Sequence, residues 1–408
     1  MRQKRRIHSQ KNMIRHIMVE FHGLSTARSA IWDTDTTSNQ SRVRGARVTD
    51  KNFREATLKR YGIAVDESVT SLWRRGPYQY FNTIQPPDDV TSKEDVEVWY
   101  HNKYKCEDSR VWLALDMIGA ESIAHAYSQM LAAEEEEAKF QFHALSHFFL
   151  QDEVNVPRSP ERKRIAYYKM QWAPKPDGRL LRCPPEVEHN PSDAYSSFGF
   201  NTNPDCTFWL TALQFNPRYR EDVSDVTFVV SKPQVMTPYF TIEFKKSDTT
   251  LEAAVNQLAA AAGLTLYNRV ALRAWRLRDT APDRPLTAKD FEGILHYGIA
   301  FAGAKALIYE ISPTLRDLAS PVLVGGTRGN QPSETDLARF WAGCRISKLT
   351  RLNATEATDV LELKRWVNEI QNWGLGKYSK EVRLDVKAIW RQANGGEVDV
   401  SLLEDEDT

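Results

Sequence analysis

The sequence predicts a mixed α/β protein, a core sheet flanked by helices with helical extensions at both ends. Three observations predict it. Between about 162 and 312, short aromatic and β-branched runs recur, bounded by Pro, Gly, Asn and Asp. One of them, 239–244, leads through a polar turn into an alanine-rich run from Leu251, the order of a strand feeding a packed helix. On either side, in 110–149 and 334–390, apolar residues return at three- and four-residue steps.

Taken in order, residues 1–50 read as a basic, poorly ordered tail, because Arg2, Lys4, Arg5, Arg6, Lys11 and Arg15 precede the first acid, Glu20. A nuclear-import or nucleic-acid patch is the sharper alternative. Residues 51–160 read as a mostly helical accessory region. Thr49 or Asp50 is placed to cap a short helix over 52–61, and 70–107 show no clear period. The run 110–149 reads as a helix that Gly119 divides, with Glu134–Glu137 on its solvated face. His143 and His147, four apart, share a helix face but lack the glutamate of a zinc-protease helix, so they read as packed histidines.

The core reads as 161–320. Strands are predicted at 165–172, 206–213, 226–230, 239–244, 270–275, 296–302 and 304–312, with a turn at 174–178 and proline-rich loop at 183–204. Thr249 or Thr250 is placed to cap the helix from Leu251, and Gly263 to end it. Residues 321–408 read as a helical extension in which Trp341, Leu363, Trp366, Val367, Ile370 and Trp373 form a core stripe, broken at Gly374 or Gly376 and followed by an acidic end at Glu404–Asp407.

A chain of 408 residues with 41% apolar and 11% aromatic residues is large enough for two or three domains or one extended core. Lys+Arg and Asp+Glu balance at 54 each, so no global basic field announces nucleic acid, although a local basic cleft is compatible. Cys106, Cys183, Cys206 and Cys344 lie far apart, which argues against a zinc ribbon or disulfide framework and fits a reducing compartment. The sequence has no apolar run of membrane-spanning length, and no apolar stretch follows the basic N-terminal residues as in a secretory signal. The expected location is therefore intracellular, nucleus or cytoplasm, with no membrane partner.

Chemistry concentrates at the end of the 239–244 strand. Glu243 and Lys245 are two apart, so they project from one face. A carboxylate and an ammonium facing inward at a strand end are costly unless they pair or hold something. Other Glu-x-Lys spacings occur at Glu137/Lys139, Glu161/Lys163 and Glu362/Lys364, with Asp385/Lys387 as a variant, but these lie in helical or charged patterns that read as solvated. Only Glu243/Lys245 ends an apolar strand and precedes a small-residue helix, in which Asn256 and Gln257 are the only amides. Three aspartates compete as a second acid. Asp177 follows Pro176 in a turn, Asp205 follows Pro204 and opens a strand, and Asp225 opens a strand nearer along the chain; Asp205 is preferred to Asp225.

An aspartate at a strand start, a strand ending Glu-x-Lys and a helix carrying Gln resembles the PD-(D/E)XK nuclease superfamily. The stretches Pro204-Asp205-Cys-Thr-Phe-Trp, Pro238-Tyr-Phe-Thr-Ile-Glu243-Phe-Lys245-Lys and Glu252-Ala-Ala-Val-Asn-Gln257 are especially similar to nuclease-like domains of fungal proteins, as are Tyr267-Asn-Arg269 and the glycine-containing strand pair at 293–311. The resemblance covers about 162–312. It implies a restriction-endonuclease-like core and a Mg²⁺- or Mn²⁺-dependent nuclease, with DNA favoured over RNA as its substrate. By resemblance, Asp205 and Glu243 bind metal, Lys245 positions or polarises the attacking water, and Gln257 is the helix glutamine near the site.

The chemistry is consistent with that expectation. Mg²⁺ keeps several waters, so two carboxylates and one carbonyl, here Phe244, suffice as protein ligands, with Asp225 the alternative carboxylate. A nearby cation would lower the Lys245 pKa toward a general-base role. Lys246 points to the opposite face, and Arg269 and Arg273 are candidate contacts to a nucleic-acid backbone. Two other readings stand beside the nuclease: a nuclease-like fold kept as a binding module, and a helical scaffold in which Glu243 and Lys245 are an edge-strand pair.

Overall fold

Long β-propensity runs and one alanine-rich segment organise the computed structural model. It describes residues 47, 49, 52–68, 76–104, 112–149, 165–168, 181–187, 198–212, 215, 223, 226–227, 229–230, 235–281, 284–316 and 334–393. The basic tail before 47, Cys106, Glu161, Lys163, the 174–178 turn with Asp177, Asp225 and the acidic end at 404–407 lie outside these residues.

Among the described residues eight strands form one mixed sheet. They are β1 (Ile63–Asp66), β2 (Ile165–Tyr168), β3 (Cys206–Thr211), β4 (Val229–Val230), β5 (Val235–Lys245), β6 (His296–Ala302), β7 (Lys305–Leu315) and β8 (Trp341–Asn353). Their order is β1-β8-β7-β6-β5-β3-β2, with β4 paired to β5. β5 runs parallel to β6, and β1 parallel to β8, while the other neighbours are antiparallel. The helices are α1 (Pro77–Tyr80), α2 (Lys93–Tyr104), α3 (Met117–Ala132), α4 (Glu137–Ala144), α5 (Leu251–Thr280), α6 (Glu334–Phe340), α7 (Ala357–Trp373) and α8 (Ser379–Ala393). The class is mixed α/β.

Period-two alternation divides the sheet into two packed faces. Phe208, Phe240, Ile242, Phe244, Ile299 and Phe301 join the side that also holds Tyr127 and Phe140 of α3 and α4 and Trp366 of α7. Trp209, Ala300, Leu307 and Tyr309 join the side covered by Ala254, Leu258 and Ala261 of α5. Each large side chain so buried contributes on the order of 1.5–3 kcal/mol.

Several elements differ from the sequence reading. α5 runs for 30 residues and absorbs 270–275, which is helix and not strand. Gly263 does not end it: a Cβ there would lie 2.6 Å from Ile63 Cδ1, so glycine lets α5 approach β1. Thr250 sits at the N-cap position, but its hydroxyl binds the Ser247 carbonyl and caps nothing. α3 begins at Met117, where the Asp116 carboxylate accepts from the Gly119 amide, so Gly119 lies in the first turn and divides nothing. Glu134 has φ 51° and the run after it is the turn before α4, not a helix face.

The C-terminal extension is not all helix. Residues 341–353 form β8, which pairs along β7 and carries β1 on its other edge, so the sheet reaches beyond 161–320 at both ends. An irregularity in the pairing near Ile308 and Tyr309 breaks the alternation of β8, which hides it in the sequence. Leu363, Trp366, Val367, Ile370 and Trp373 do line α7. Trp341 belongs to the opposite side of the sheet, edge-on to Tyr267 at 5.3 Å. Gly374 and Gly376 lie in one wide helical turn that leads directly into α8.

Glu369 on α7 is fully buried, and its carboxylate accepts from the Tyr100 hydroxyl and from Thr83 Oγ1 at 2.9 Å. Burial pushes it up from 4.5 to about 7, against the hydrogen bonds from Tyr100 and Thr83. A raised acid adds stability that is complete below its unfolded value and is lost as pH rises through about 7. The loss over that window is about 3 kcal/mol. Burial holds His143 down to about 4, which acts in the opposite sense as pH falls below 6.5. Comparing Glu369→Gln with wild type isolates the glutamate. The variant's denaturation midpoint should gain on wild type between about pH 5 and 7; parallel curves would remove Glu369 as the source.

Candidate active site

The last residues of β5 form the site. Its α5-facing row is Thr241, Glu243 and Lys245, since Phe240, Ile242 and Phe244 fill the opposite core. Glu243 is 2% exposed and Lys245 is half-buried. Lys245 Nζ donates to the Phe244 carbonyl at 2.6 Å.

Asp205 comes to the same place. The antiparallel register pairs Cys206 with Ile242 and Thr207 with Thr241. Continued by one residue, it sets Asp205 opposite Glu243. The Phe244 amide donates to Asp205 Oδ2 at 3.0 Å. One residue, Phe244, thus joins the pieces: its two neighbours are Glu243 and Lys245, its amide N–H donates to Asp205, and its carbonyl accepts from the ammonium. The Phe244 ring anchors this unit from behind, stacked on Phe301 at 5.2 Å. Asp225, the alternative acid and metal ligand, lies outside the described residues.

Gln257 lies in the second turn of α5, half-buried, with a buried Oε1 that accepts no hydrogen bond among the described residues. Its neighbour Asn256 is engaged, because Arg54 Nε donates to Asn256 Oδ1 at 2.8 Å. The same guanidinium reaches Glu67 at 2.7 Å and Glu252 at 3.6 Å. Sequence reasoning missed Arg54; no local pattern marks it, because its partners are set by how α5 docks. One layer down the row, Thr241 Oγ1 meets His296 Nε2 at 2.9 Å. Burial holds His296 at about 3, so it is neutral.

Lys246 does face away, and pairs with Glu136 at 2.9 Å. Arg269 and Arg273 are not backbone contacts for nucleic acid. Both are buried and bind Asp385 of α8, Arg273 at 2.9 Å. Asp385 itself is fully buried, which corrects its reading as a solvated residue.

Two carboxyl groups and one amine thus gather at this strand end. Among the described residues no group of three or more His, Cys, Asp or Glu side chains converges on a metal position. The available set is Asp205, Glu243 and the Phe244 carbonyl. All are hard oxygens, and their small number fits an ion that keeps most of its own water. No protein-family model, curated protein or solved structure matches the chain, and no helix among the described residues is long and apolar enough to cross a membrane.

Proposed function

We propose that this protein is a metal-dependent nuclease of the PD-(D/E)XK type, hydrolysing phosphodiester bonds, with DNA the favoured substrate. The observation that carries the reading is the bond from the Phe244 amide to Asp205, which draws the second acid to the strand end that bears Glu243 and Lys245. The strand order supports it as well: an antiparallel β2-β3-β5 set, then α5 as crossover to the parallel β6. Asp205, Glu243 and the Phe244 carbonyl would hold a Mg²⁺ or Mn²⁺ ion. When bound, such an ion activates water and neutralises charge at phosphorus. Lys245 would orient the water and place its charge beside the phosphoryl oxygens. Gln257 would offer its side-chain amide from α5 to that water or to the phosphate.

One observation favours a second reading, a nuclease-like binding module without activity. The Lys245 ammonium already engages the Phe244 carbonyl, the acceptor that a metal ion requires. The deciding experiment incubates purified protein with labelled single-stranded and duplex DNA, and with RNA, in Mg²⁺ or Mn²⁺. Cleavage that needs the metal and falls by about 10²-fold or more in Lys245→Ala supports the nuclease. Binding with either metal but no cutting leaves the module.

A further inference from the structure

We infer that residues 76–104 form a strap that loosens from the core as pH rises, latched through the hydrogen bonds of Tyr80, Thr83 and Tyr100 to two carboxyl groups, Glu310 of β7 and Glu369 of α7. Neither carboxyl belongs to the candidate site. Tyr80 meets Tyr297 near the start of β6, whereas Lys245 lies beside Ala302 at its end.

The strap carries α1 and α2, and α2 holds the core by a narrow face. Of its 12 residues, Val96 and Tyr100 are buried. Ile84 and Val98 are each 58% exposed. Segments that bury so little apolar surface open at the low end of local stability. Much of the remaining hold is polar. Thr83 Oγ1 donates to Glu369 Oε2 at 2.9 Å, and the Tyr100 hydroxyl donates to the other oxygen of the same carboxyl. The Tyr80 hydroxyl donates to Glu310 and lies 3.3 Å from the Tyr297 hydroxyl. Tyr80 and Phe81 cover Trp366, with ring centroids 5.3 and 6.1 Å away, and Tyr100 stacks on Trp112 at 4.2 Å. The Leu115 amide donates to the Thr91 carbonyl at 2.9 Å.

Among the described residues neither carboxyl has an ion pair. The Arg365 guanidinium, one turn before Glu369 on α7, bonds instead to Tyr78 and to Glu362 at 3.3 Å. Around Glu369 stand Tyr78, Thr83, Tyr100 and Asn372. Around Glu310 stand Tyr80, Tyr297 and, across on β8, Ser347. All of these are neutral at pH 7. Neutral donors do not replace water around a buried charge, so burial works against the ionised form of each acid. It outweighs the hydrogen bonds, lifting Glu369 from 4.5 to about 7 and raising Glu310 as well. An acid whose value is higher in the closed state than in the open one holds the strap at low pH. It lets go as pH climbs through the higher value. Both shifts have the same sign and both sets of partners sit on one segment, so ionisation loosens that segment first.

The test is hydrogen exchange of the full-length protein from pH 5 to 8, read by mass spectrometry and corrected for the intrinsic exchange rate at each pH. Peptides from 77–104 are compared with peptides from α5. Relative to α5, protection of 77–104 should fall on the order of 10²-fold across that range, as a carboxyl moved from 4.5 to about 7 requires. Glu369→Gln, which stays neutral and keeps an acceptor, should remove most of the fall. Adding Glu310→Gln should remove the rest. Glu94→Gln, at an exposed acid of α2, should behave as wild type. Tyr100→Phe keeps the carboxyl but takes away a latch donor, and should speed exchange of 77–104 at pH 5 by about tenfold. Protection of 77–104 that stays constant with pH overturns the strap, as does a loss shared equally by α5, the mark of global unfolding. A fall that persists undiminished in the double glutamine variant overturns the latch, and so does wild-type exchange at pH 5 in Tyr100→Phe.

Discussion

Replacing Asp385 with alanine is expected to destabilise the protein by about 3–5 kcal/mol, the cost of stranding buried charge. Asp385 is fully buried on α8, and guanidinium groups from successive turns of α5 converge on it. Arg273 Nε binds it at 2.9 Å, Arg276 Nε at 3.0 Å, and Arg269 Nη1 completes the set. Burial alone would lower the Arg273 pKa, but Asp385 and Glu381 more than offset that and raise it. For Arg276 burial dominates, and with the repulsion of Arg273 and Arg269 it outweighs Asp385 and lowers the pKa. Without the carboxylate these cations repel one another in low dielectric, and among the described residues Glu381, 2.9 Å from Arg273, remains as an acid partner. Urea denaturation of wild type, Asp385→Ala and Asp385→Ala with Arg269→Met and Arg273→Met checks the account. The added methionines should recover part of the loss, because they remove the stranded charges. A single-variant loss below about 1 kcal/mol, typical of exposed pairs, would show that the cluster is solvated.

Gly343→Ala should cost about 4 kcal/mol, from an unfavourable backbone conformation and an unrelievable contact together. Gly343 has φ +117°, which L side chains rarely adopt, and a Cβ there would fall on the Gly62 carbonyl, only 2.6 Å from Gly62 Cα. Gly62 has φ +68°, and its own Cβ would strike the Ala342 carbonyl. Backbone faces backbone, so no side chain can rotate away. The contact also holds the bond from the Cys344 amide to the Gly62 carbonyl at 3.1 Å, the first link between β1 and β8. Thermal melting and limited proteolysis near residues 52–68 should report β1 coming loose at lower temperature than in wild type. Unchanged melting would mean that the β1–β8 crossing relaxes without loss.

What was legible in the sequence follows from how local its cause was. Residues 239–244 carry enough aromatic and β-branched side chains to be a strand in any context, and Asp205 directly precedes another. The juxtaposition of Asp205 with Glu243, Phe244 and Lys245 was therefore within reach of pattern reading. The full length of α5 was not. It is wedged between the sheet and α8 and is buried nearly all round, with its arginines turned inward to Asp385, so no solvated polar stripe marks it as an amphipathic helix. β8 was lost because a shift in register moves its apolar residues off strict alternation. Arg269 and Arg273 read as surface cations because their partner stands more than a hundred positions away, and Asp385 sits in a stretch that is charged in every turn.

The parallel pairing of Ile63–Asp66 with β8 imposes an order on biosynthesis. The ribosome delivers the first strand of the sheet long before its neighbour, so that strand must wait, unpaired, while nearly the whole remaining chain is made. A nascent chain arrested short of Trp341 cannot close the sheet on that side, and it leaves the long helix without Asp385. Completion of the fold is thus tied to the emergence of the segment from Trp341 onward, and holdase chaperones have a defined interval in which to act.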